Sequence, residues 1–588
     1  MFSVTATTLI WVIGPILLAA YYSDYIYEIA GPKLQSDQAD KGPQSKIRDA
    51  PEGALVSTAN GDVRGKVLKT PNGIDFYAFL DIPYATPPVG KLRFQRPLPP
   101  KSWRGVLDTT ENKKICWNMM PLAPKLENDP RENEDCLYLN VYVPKNPSSK
   151  ELLPVLFYIT GGIFMFNDGT LKSYKPYNFV ERDIIMVSIN FRQGPLGFLT
   201  TNDGVIPGNL GLWDQNMALR WVQKNIGRFG GDPNKVTING HSSGAAAVTL
   251  HMLSKHSEGL FRAGIAQSNA LLGPDGVQRD PKYYAYKFAN TIDAKITPKN
   301  TSKELLEFLQ SISASTISNT TAIHPDPEHD TRTFKNERYQ TIWRPVEEPS
   351  DDENAFISGS IYEKFRDGKF NHVPLMIGIT SEEYGMKGAN DPEAAKLVDD
   401  HPELLFRGMV GVKEKDKRRL GEKIKKMYST EPLQKNITAF VKLCSDMLFG
   451  NKVMKFGDVV SKHIDVYFYQ FSYFGYMNEI PGAGEFDTLK MEGLGKATHC
   501  AELPYLLWYK LDGDNRTYPE SDIRMRVIIS DLLANFIKYL NPTPKRDPQL
   551  QNIIWPKFDS ERLRYLDIDL NLTVKENPRS YRQIRTLY

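Results

Sequence analysis

The chain changes its pattern of apolar and polar positions near residue 136. Beyond that point, short apolar runs alternate with longer stretches of helical spacing and propensity. Strand-like runs are LYLNVYVP, PVLFYIT, DIIMVSINF and KVTING, and the helical stretches include GLWDQNMALRWVQKNI and GAAAVTLHMLSKH. Such alternation is typical of parallel strands covered by helices on both faces. The pattern predicts an α/β fold with a large, mostly parallel mixed sheet.

Shorter β-rich pieces with Gly and Pro come before this region. The segment from Gly61 to Gly65 and the run from Phe76 to Phe94 predict a small N-terminal β-hairpin sheet that leads into the main body. No internal repeat is visible, and the helical stretches between about 280 and 460 look like insertions around one sheet. We therefore expect a single large domain over residues 54–588.

The N-terminal residues indicate where the protein is located. Leu9 to Ala20 is an apolar run of signal-peptide length, shorter than the ~20 residues that cross a bilayer as a helix. Residues 1–22 are thus predicted to be a signal peptide, which makes the protein secreted or extracellular. The region before the run has no Lys or Arg, and no clean A-x-A site follows it. An uncleaved membrane anchor through residues 8–22, with the folded domain outside or lumenal, is the alternative. The polar residues 23–53 are predicted to be a linker.

Composition and charge narrow the function classes. The chain is 41% hydrophobic and 24% charged, as in ordinary globular proteins, and its formal net charge is +3. No basic stripe interleaved with aromatic residues is present, so we expect no nucleic-acid partner. Four cysteines without a CxxC pair provide neither a disulfide framework nor a zinc motif, and we expect no metal and no cofactor. The sequons, which suit glycosylation in a secretory compartment, are at Asn300, Asn319, Asn436, Asn515 and Asn571.

The most informative local motif is Gly240-His241-Ser242-Ser243-Gly244, between a predicted strand and a predicted helix. A nucleophile at a strained strand-to-helix turn needs small residues two before and two after it. Ser242 is therefore the candidate nucleophile. An ordinary Gly/Ser turn is the alternative interpretation.

A nucleophilic serine needs a base, an acid that orients the base, and donors for the oxyanion. His499, in a loop before a predicted helix, is the candidate base. Glu383, after the apolar strand VPLMIGIT, is the candidate acid, and its neighbour Glu382 is expected to face solvent. The oxyanion donors are predicted to be backbone N–H groups of the glycine-containing loop after PVLFYI and of the residue after the nucleophile: Gly161, Gly162, Ile163 and Ser243.

Several blocks in one order resemble the type-B carboxylesterase and cholinesterase family of α/β-hydrolases, and in particular insect carboxylesterases. They include FLDIPYATPPVGKLRF, EDCLYLNVYVP, PGNLGLWDQNMALRWVQKNIGRFGGDP, GHSSGAAAV, GITSEEYG and HCAELPYLL. The resemblance covers nearly everything from residue 54 onward and implies the α/β-hydrolase fold. It also implies the triad Ser242, Glu383 and His499. Further implied contacts are a disulfide between Cys116 and Cys136 and the ion pairs Arg93–Glu134 and Arg192–Asp214, while Cys444 and Cys500 are left as buried thiols.

The chain departs from the family pattern around the oxyanion loop. Thr160 stands where His or Tyr is usual, Ile163 where Gly or Ala is usual, and Ser243 where Ala is usual. A β-branched Ile prefers extended backbone, so its N–H is expected to be misaimed unless the loop already needs that conformation. The loop after Cys116 has Trp117 but no Trp toward its far end, which argues against a choline cation as part of the substrate.

These observations predict a serine carboxylesterase that hydrolyses neutral, apolar esters through an acyl-enzyme, with Phe164 and Phe166 in the wall of its gorge. The partner is a small-molecule ester, and the sequence does not determine the oligomeric state. The alternative is a catalytically weak or inactive cell-surface adhesion or binding protein on the same fold. All three triad residues are present, which favours the enzyme.

Overall fold

The structure is a computed structural model of the 588-residue chain. It describes residues 47–50, 53–119, 129–272, 276–320, 342–349, 352–386, 389–406, 412–479, 489, 491–509, 511 and 517–586. The predicted signal peptide or anchor, and most of the predicted linker, lie outside these residues.

The strands of the described residues are labelled in chain order. They are β1 Arg48–Ala50, β2 Gly53–Ser57, β3 Asp62–Lys69, β4 Asp75–Pro83, β5 Val106–Asp108, β6 Ile115–Cys116, β7 Glu132–Asn133, β8 Tyr138–Pro144, β9 Leu153–Ile159, β10 Ile185–Ile189, β11 Gly231–His241, β12 Ala263–Gln267, β13 Leu375–Thr380, β14 Val466–Phe471, β15 Arg564–Ile568 and β16 Thr573–Glu576.

Fourteen of these strands form one sheet, in the order β1-β2-β3-β4-β8-β10-β9-β11-β12-β13-β14-β15-β16, with β5 paired to β3. Neighbours from β10 to β15 in this order are parallel, and the pairs nearer each edge are antiparallel. The prediction of a mostly parallel mixed sheet is confirmed. The N-terminal strands are hydrogen-bonded to it through β3 and β4, so they extend the same sheet.

The α-helices that surround the sheet vary from one turn to five. Their bounds are Tyr177–Val180, Gly194–Phe198, Leu210–Asn225, Ser243–Leu253, Pro281–Ile292, Ser302–Ser311, Ala314–Asn319, Ile361–Arg366, Pro392–Asp400, Glu414–Tyr428, Ile437–Cys444, Asn451–Val460, Tyr476–Glu479, Leu503–Leu507, Glu520–Tyr539 and Tyr581–Arg585. A π-helix, Ser445–Gly450, connects two of them. Within the described residues no helix is both long and apolar enough to cross a bilayer.

The strand β9 shows why these runs are apolar along their whole length. Val155 and Phe157 belong to the apolar cluster on one face of the sheet, whereas Leu156 and Tyr158 belong to the cluster on the other face. Helices Leu210–Asn225 and Ser243–Leu253 contribute to the first cluster, and helix Glu520–Tyr539 contributes to the second. Successive side chains of a strand point to opposite faces, so a strand that is covered on both sides has no solvent-facing position.

The start of the folded body differs from the prediction by a few residues. The strand β1 lies inside the predicted linker of residues 23–53 and pairs antiparallel with β2. Polar composition alone suggested a linker here, but an edge strand tolerates polar side chains because only one of its sides is paired. The sheet therefore begins before residue 54.

The contacts that the resemblance implied are present. Cys116 and Cys136 form a disulfide. Arg93 pairs with Glu134 through both carboxylate oxygens. Arg192 binds Asp214 through two hydrogen bonds of 2.7 and 2.8 Å, and both of these side chains are buried. Cys444 and Cys500 are buried outside the disulfide.

Candidate active site

Ser242 sits at the turn between β11 and helix Ser243–Leu253, as the motif predicted. Its φ of 56° and ψ of −123° are strained for a non-glycine residue. A Cβ added at Gly240 would lie 2.3 Å from backbone atoms of Gly244, and one added at Gly244 would lie 2.3 Å from the carbonyl oxygen of Ile159. No side chain fits at either position. The two glycines let the turn close tightly against the end of β9.

Glu383 and His499 form the second half of the site. The His499 Nδ1 atom lies 2.7 Å from Glu383 Oε2, and both residues are buried. The other carboxylate oxygen of Glu383 accepts the N–H of Thr380 at 2.8 Å. Because an ionised carboxylate only accepts hydrogen bonds, Nδ1 carries the proton and Nε2 keeps its lone pair.

Ser242 and His499 line one cavity of about 210 Å³ at the carboxyl ends of the parallel strands. Ligands of open α/β sheets bind at this edge, where the loops after adjacent strands meet. The structure therefore brings together the predicted nucleophile, base and acid, which come from loops after β11, β13 and β14. By contrast, His401 and His463 are not among the described residues that line this cavity.

The oxyanion loop follows β9 and borders the same cavity. Gly162, Ile163 and Ser243 all line it, whereas Gly161 packs against the nucleophile turn, where an added Cβ would be 2.7 Å from the carbonyl oxygen of His241. Among the described residues, no acceptor is found for the backbone N–H groups of Gly162, Ile163 and Ser243. Donors that face a cavity without an internal acceptor are suited to bind a developing oxyanion.

Ile163 does not have the extended backbone expected from its side chain. Its φ is 48°, in the left-handed region, and it lies between Gly162 at 109° and Phe164 at 61°. This conformation is unfavourable for a β-branched residue and costs on the order of 1–3 kcal/mol. The N–H of Phe164 donates to the Ser243 hydroxyl at 3.2 Å, which ties the loop to the nucleophile turn. An alanine at position 243 could not make this bond.

The expectation that Glu382 faces solvent is wrong. Glu382 is 2% exposed, and its carboxylate accepts the N–H of Gly495 and pairs with Arg579, both at 3.2 Å. Arg579 also pairs with Asp446 and donates to the carbonyl of Ser381. Glu382 therefore anchors the loop that carries Glu383 to the C-terminal segment. The sequence held no indication of this pairing, because Arg579 is almost 200 residues away.

Three buried polar residues near the triad were not assigned to the site from the sequence: Glu502, His241 and Cys500. Glu502 is fully buried and accepts from Gln267 at 3.4 Å. Burial raises the pKa of Glu502 to about 7, and the nearby charge of Glu383 adds to this shift. All three residues lie within the GHSSG and HCAEL blocks, so their closeness in sequence to the predicted nucleophile and base could have identified them.

The rest of the cavity wall is mostly apolar. Phe164 and Phe166 line it, as predicted, and the remaining described lining residues are Ala246, Asn269, Ala270, Leu271, Gly276, Arg344, Met386, Leu448, Phe449 and Lys452. None of the described lining residues is a tryptophan. Aliphatic and aromatic groups around a few polar atoms are the usual lining of a site for an apolar small molecule.

The predicted sequons differ in exposure. Asn319 and Asn571 are exposed, whereas Asn300 and Asn436 are half-buried. The Asn436 side chain accepts the N–H of Ala439 at 3.1 Å and so caps the helix Ile437–Cys444. Asn515 lies outside the described residues.

Comparison with known proteins agrees with this geometry. A model of the carboxylesterase family matches residues 52–584. Venom carboxylesterase-6 of Apis mellifera is 37% identical over 408 residues, which cover 67% of this chain and 70% of that protein. Juvenile hormone esterase of Tribolium castaneum is 31% identical over 89% of each protein.

The crystal structure of juvenile hormone esterase from Manduca sexta, with OTFP covalently attached, matches with a TM-score of 0.77 at 25% identity. The match covers 91% of this chain and 98% of that one. The fold is thus the α/β-hydrolase fold, as the sequence blocks implied. On the extent of the family match and the identity to its esterases, this chain belongs to the carboxylesterase family.

Proposed function

We propose that this protein is a serine carboxylesterase that hydrolyses neutral, apolar esters through an acyl-enzyme on Ser242. The observation that carries the proposal is the shared cavity. Ser242 and a histidine whose Nδ1 is held by a buried carboxylate line one apolar space. Membership of the carboxylesterase family and relatives named as esterases support ester hydrolysis as the reaction.

The first half of the reaction forms the acyl-enzyme. The Ser242 Oγ attacks the ester carbonyl carbon while His499 Nε2 takes the hydroxyl proton. Glu383 stabilises the imidazolium that forms, because its carboxylate lies 2.7 Å from Nδ1. The carbonyl oxygen becomes an oxyanion and accepts the N–H groups of Gly162, Ile163 and Ser243. The ester C–O bond then breaks, and His499 returns the proton to the leaving alcohol.

The second half releases the acid. A water molecule attacks the acyl carbon, His499 takes its proton, and the same N–H groups hold the second oxyanion. The bond to Ser242 Oγ breaks, the serine regains its proton from His499, and the carboxylic acid leaves. No cofactor is needed, since every proton that is taken is returned within the cycle.

The wall of the cavity supports an apolar substrate. Phe164, Phe166, Leu271 and Phe449 contact the space beside the nucleophile. An apolar acyl or alcohol group gains about 25 cal/mol for each Å² that it buries against such a wall. A quaternary ammonium group would need an aromatic cage of the kind that tryptophan best supplies.

We also infer that the protein is secreted through a signal peptide at residues 1–22 and glycosylated. Asn319 and Asn571 are the sequons best suited to modification, because they are exposed. N-terminal sequencing of the protein from a eukaryotic secretory host should start after residue 22, and mass mapping should find glycans at these two sites. Recovery of the intact N-terminus in a membrane fraction would favour the anchored alternative.

The activity is tested by labelling the full-length protein with a fluorophosphonate probe and by assaying a small aryl ester. Ser242→Ala should abolish labelling and lower kcat by roughly 10⁴-fold or more, because it removes the attacking oxygen. Ser243→Ala is the matched control. It removes the hydroxyl that accepts the Phe164 N–H but keeps Ser242 and the backbone N–H of residue 243, and should still be labelled. Substantial turnover by Ser242→Ala would refute the assignment of the nucleophile.

A panel of esters that vary in acyl and alcohol size would then test the substrate class. We expect kcat/KM to rise with the apolar area of a neutral ester and to fall sharply when a quaternary ammonium group replaces an isosteric tert-butyl group. A preference for the cationic ester would contradict the apolar class without affecting the assignment of Ser242.

A further inference from the structure

Three side chains that can each offer one ligand atom to a metal ion lie close together: His241, His499 and Cys500. One ligand atom from each lies within 4.8 Å of the other two. The His241 Nδ1 atom is 3.8 Å from the Cys500 sulfur, and the ring centroids of the two histidines are 4.6 Å apart. Each residue is at most 5% exposed. The nucleophile turn supplies one of these side chains, and the loop of the predicted base supplies the other two.

We propose that this cluster binds a thiophilic divalent cation of the zinc class and that binding withdraws His499 from catalysis. Imidazole nitrogen and thiolate sulfur are the ligands that zinc prefers, and three protein ligands with one open position form a common zinc site. Ligands at 2.0–2.1 Å for nitrogen and 2.3 Å for sulfur lie roughly 3.6 Å apart around a tetrahedral ion. The separation of 3.8 Å between His241 Nδ1 and Cys500 Sγ is close to this value. The three ligand atoms as a group lie within 4.8 Å of one another, so the imidazole rings must reorient slightly to complete the coordination.

His499 is already oriented as a metal-ligating histidine. Its Nδ1 proton is held by Glu383 at 2.7 Å, which leaves Nε2 as the ligand atom. A carboxylate that holds the far nitrogen of a histidine is the usual outer-shell partner in zinc sites, because it fixes the tautomer and makes the ligand more basic. The contact that prepares Nε2 to accept a proton from Ser242 thus equally prepares it to bind a cation.

His241 has the properties expected of a second ligand. Its Nε2 atom is buried and has no hydrogen-bond partner among the described residues, so the ring can reorient without losing a hydrogen bond there. Its other ring nitrogen, Nδ1, lies 3.8 Å from the Cys500 sulfur and is the atom that would bind the cation.

The cavity gives a cation access to His499, and binding there would block catalysis. His499 lines the cavity, so a cation that enters with water reaches Nε2 first. Binding displaces the thiol proton of Cys500 into solvent and occupies the lone pair that would accept the Ser242 proton. The inhibitory effect rests on the proposed esterase function, whereas metal binding itself depends only on the three side chains.

The test measures binding separately from activity. Cobalt(II) is added to the full-length protein and to its Ser242→Ala variant, and the near-ultraviolet absorption of cobalt–thiolate bonds is recorded. Both proteins should show the band. Cys500→Ser should abolish it, and Cys444→Ser, which changes a buried thiol outside the cluster, should preserve it. Absence of the band in the unmodified protein, or its persistence in Cys500→Ser, would overturn the proposal.

Zinc inhibition is measured on each variant relative to its own metal-free rate. Loss of an outer-shell partner costs about 10–100-fold in metal affinity, and loss of a direct ligand costs at least as much. Cys500→Ser and His241→Asn should each raise the zinc concentration for half-inhibition by 10-fold or more, and a chelator should restore activity. Equal inhibition of all the variants would refute the site. If the unmodified protein hydrolyses no ester but the Ser242→Ala variant still binds cobalt, the proposed function is refuted and the metal site is supported.

Discussion

Replacing Glu383 by glutamine changes one oxygen to an amide nitrogen at a position where both oxygens are used. One oxygen faces His499 Nδ1 at 2.7 Å and the other accepts the N–H of Thr380 at 2.8 Å. Glutamine has a single acceptor oxygen, so one of these donors must face an NH₂ group. If the amide oxygen stays at Thr380, the NH₂ donates to Nδ1 and forces the proton of His499 onto Nε2, where it cannot act as a base.

The opposite orientation of the glutamine amide is also unfavourable. If the amide oxygen stays at His499, the NH₂ meets the Thr380 N–H in a fully buried place, at a cost of about 1–3 kcal/mol. Even then the imidazolium formed during attack lacks a counter-charge. A wrong tautomer in a Ser-His-acid triad lowers kcat by about 10⁴-fold, or about 5 kcal/mol of transition-state stabilisation. We expect Glu383→Gln to have an effect of this size on kcat with little effect on KM.

Glu382→Gln is the matched control, because it makes the same chemical change one residue earlier in the chain. Glu382 contacts Arg579 and the N–H of Gly495 rather than His499. Arg579 keeps its pairing with Asp446 in this variant. We expect kcat to change by less than about threefold, while stability falls by about 1–3 kcal/mol because a buried charged hydrogen bond is weakened.

The assay is steady-state hydrolysis of an aryl acetate for both variants, with protein concentration fixed by absorbance and stability followed by urea unfolding of tryptophan fluorescence. The two variants should separate, with one losing rate and the other losing stability. A similar fall in kcat for both would show that the acid was chosen wrongly or that Glu382 controls the position of the acid through Arg579.

Two further variants test the loop and the buried carboxyl. Ile163→Gly should raise kcat on small aryl esters by up to ~10-fold with little change in KM, because glycine adopts the φ of 48° without strain. A fall in kcat would show that Ile163 already aims its N–H correctly. Glu502, with a folded pKa of about 7 against an ordinary 4.5, favours folding below pH 4.5, and this contribution is lost as pH rises through 7. Between pH 5 and 8 the free energy of unfolding should therefore decline by at most about 3 kcal/mol on account of Glu502, and Glu502→Gln should remove this decline. An unchanged decline in the variant would contradict the prediction.

The sequence alone was sufficient wherever a local pattern has one physical solution. Apolar runs such as PVLFYIT had to be strands buried on both faces, and the structure places their alternate residues in two separate apolar clusters. The glycines around Ser242 had to close a turn that no side chain could occupy. The family resemblance supplied the pairing of Cys116 with Cys136, which the spacing of four cysteines could not determine.

Other features depend on residues that only the fold brings together. Glu382 was expected in solvent because a second carboxylate in a loop usually is, and its partner Arg579 reaches it from the C-terminal segment. The backbone of Ile163 follows the closure of its loop onto the Ser243 hydroxyl, which overrides the preference of a β-branched side chain. His241 and Cys500 are 259 residues apart and form no metal motif in sequence. Local patterns determine strands and turns because their causes lie within a few residues, whereas ion pairs, backbone strain and shared ligands depend on which distant segments meet, and that is decided by tertiary packing.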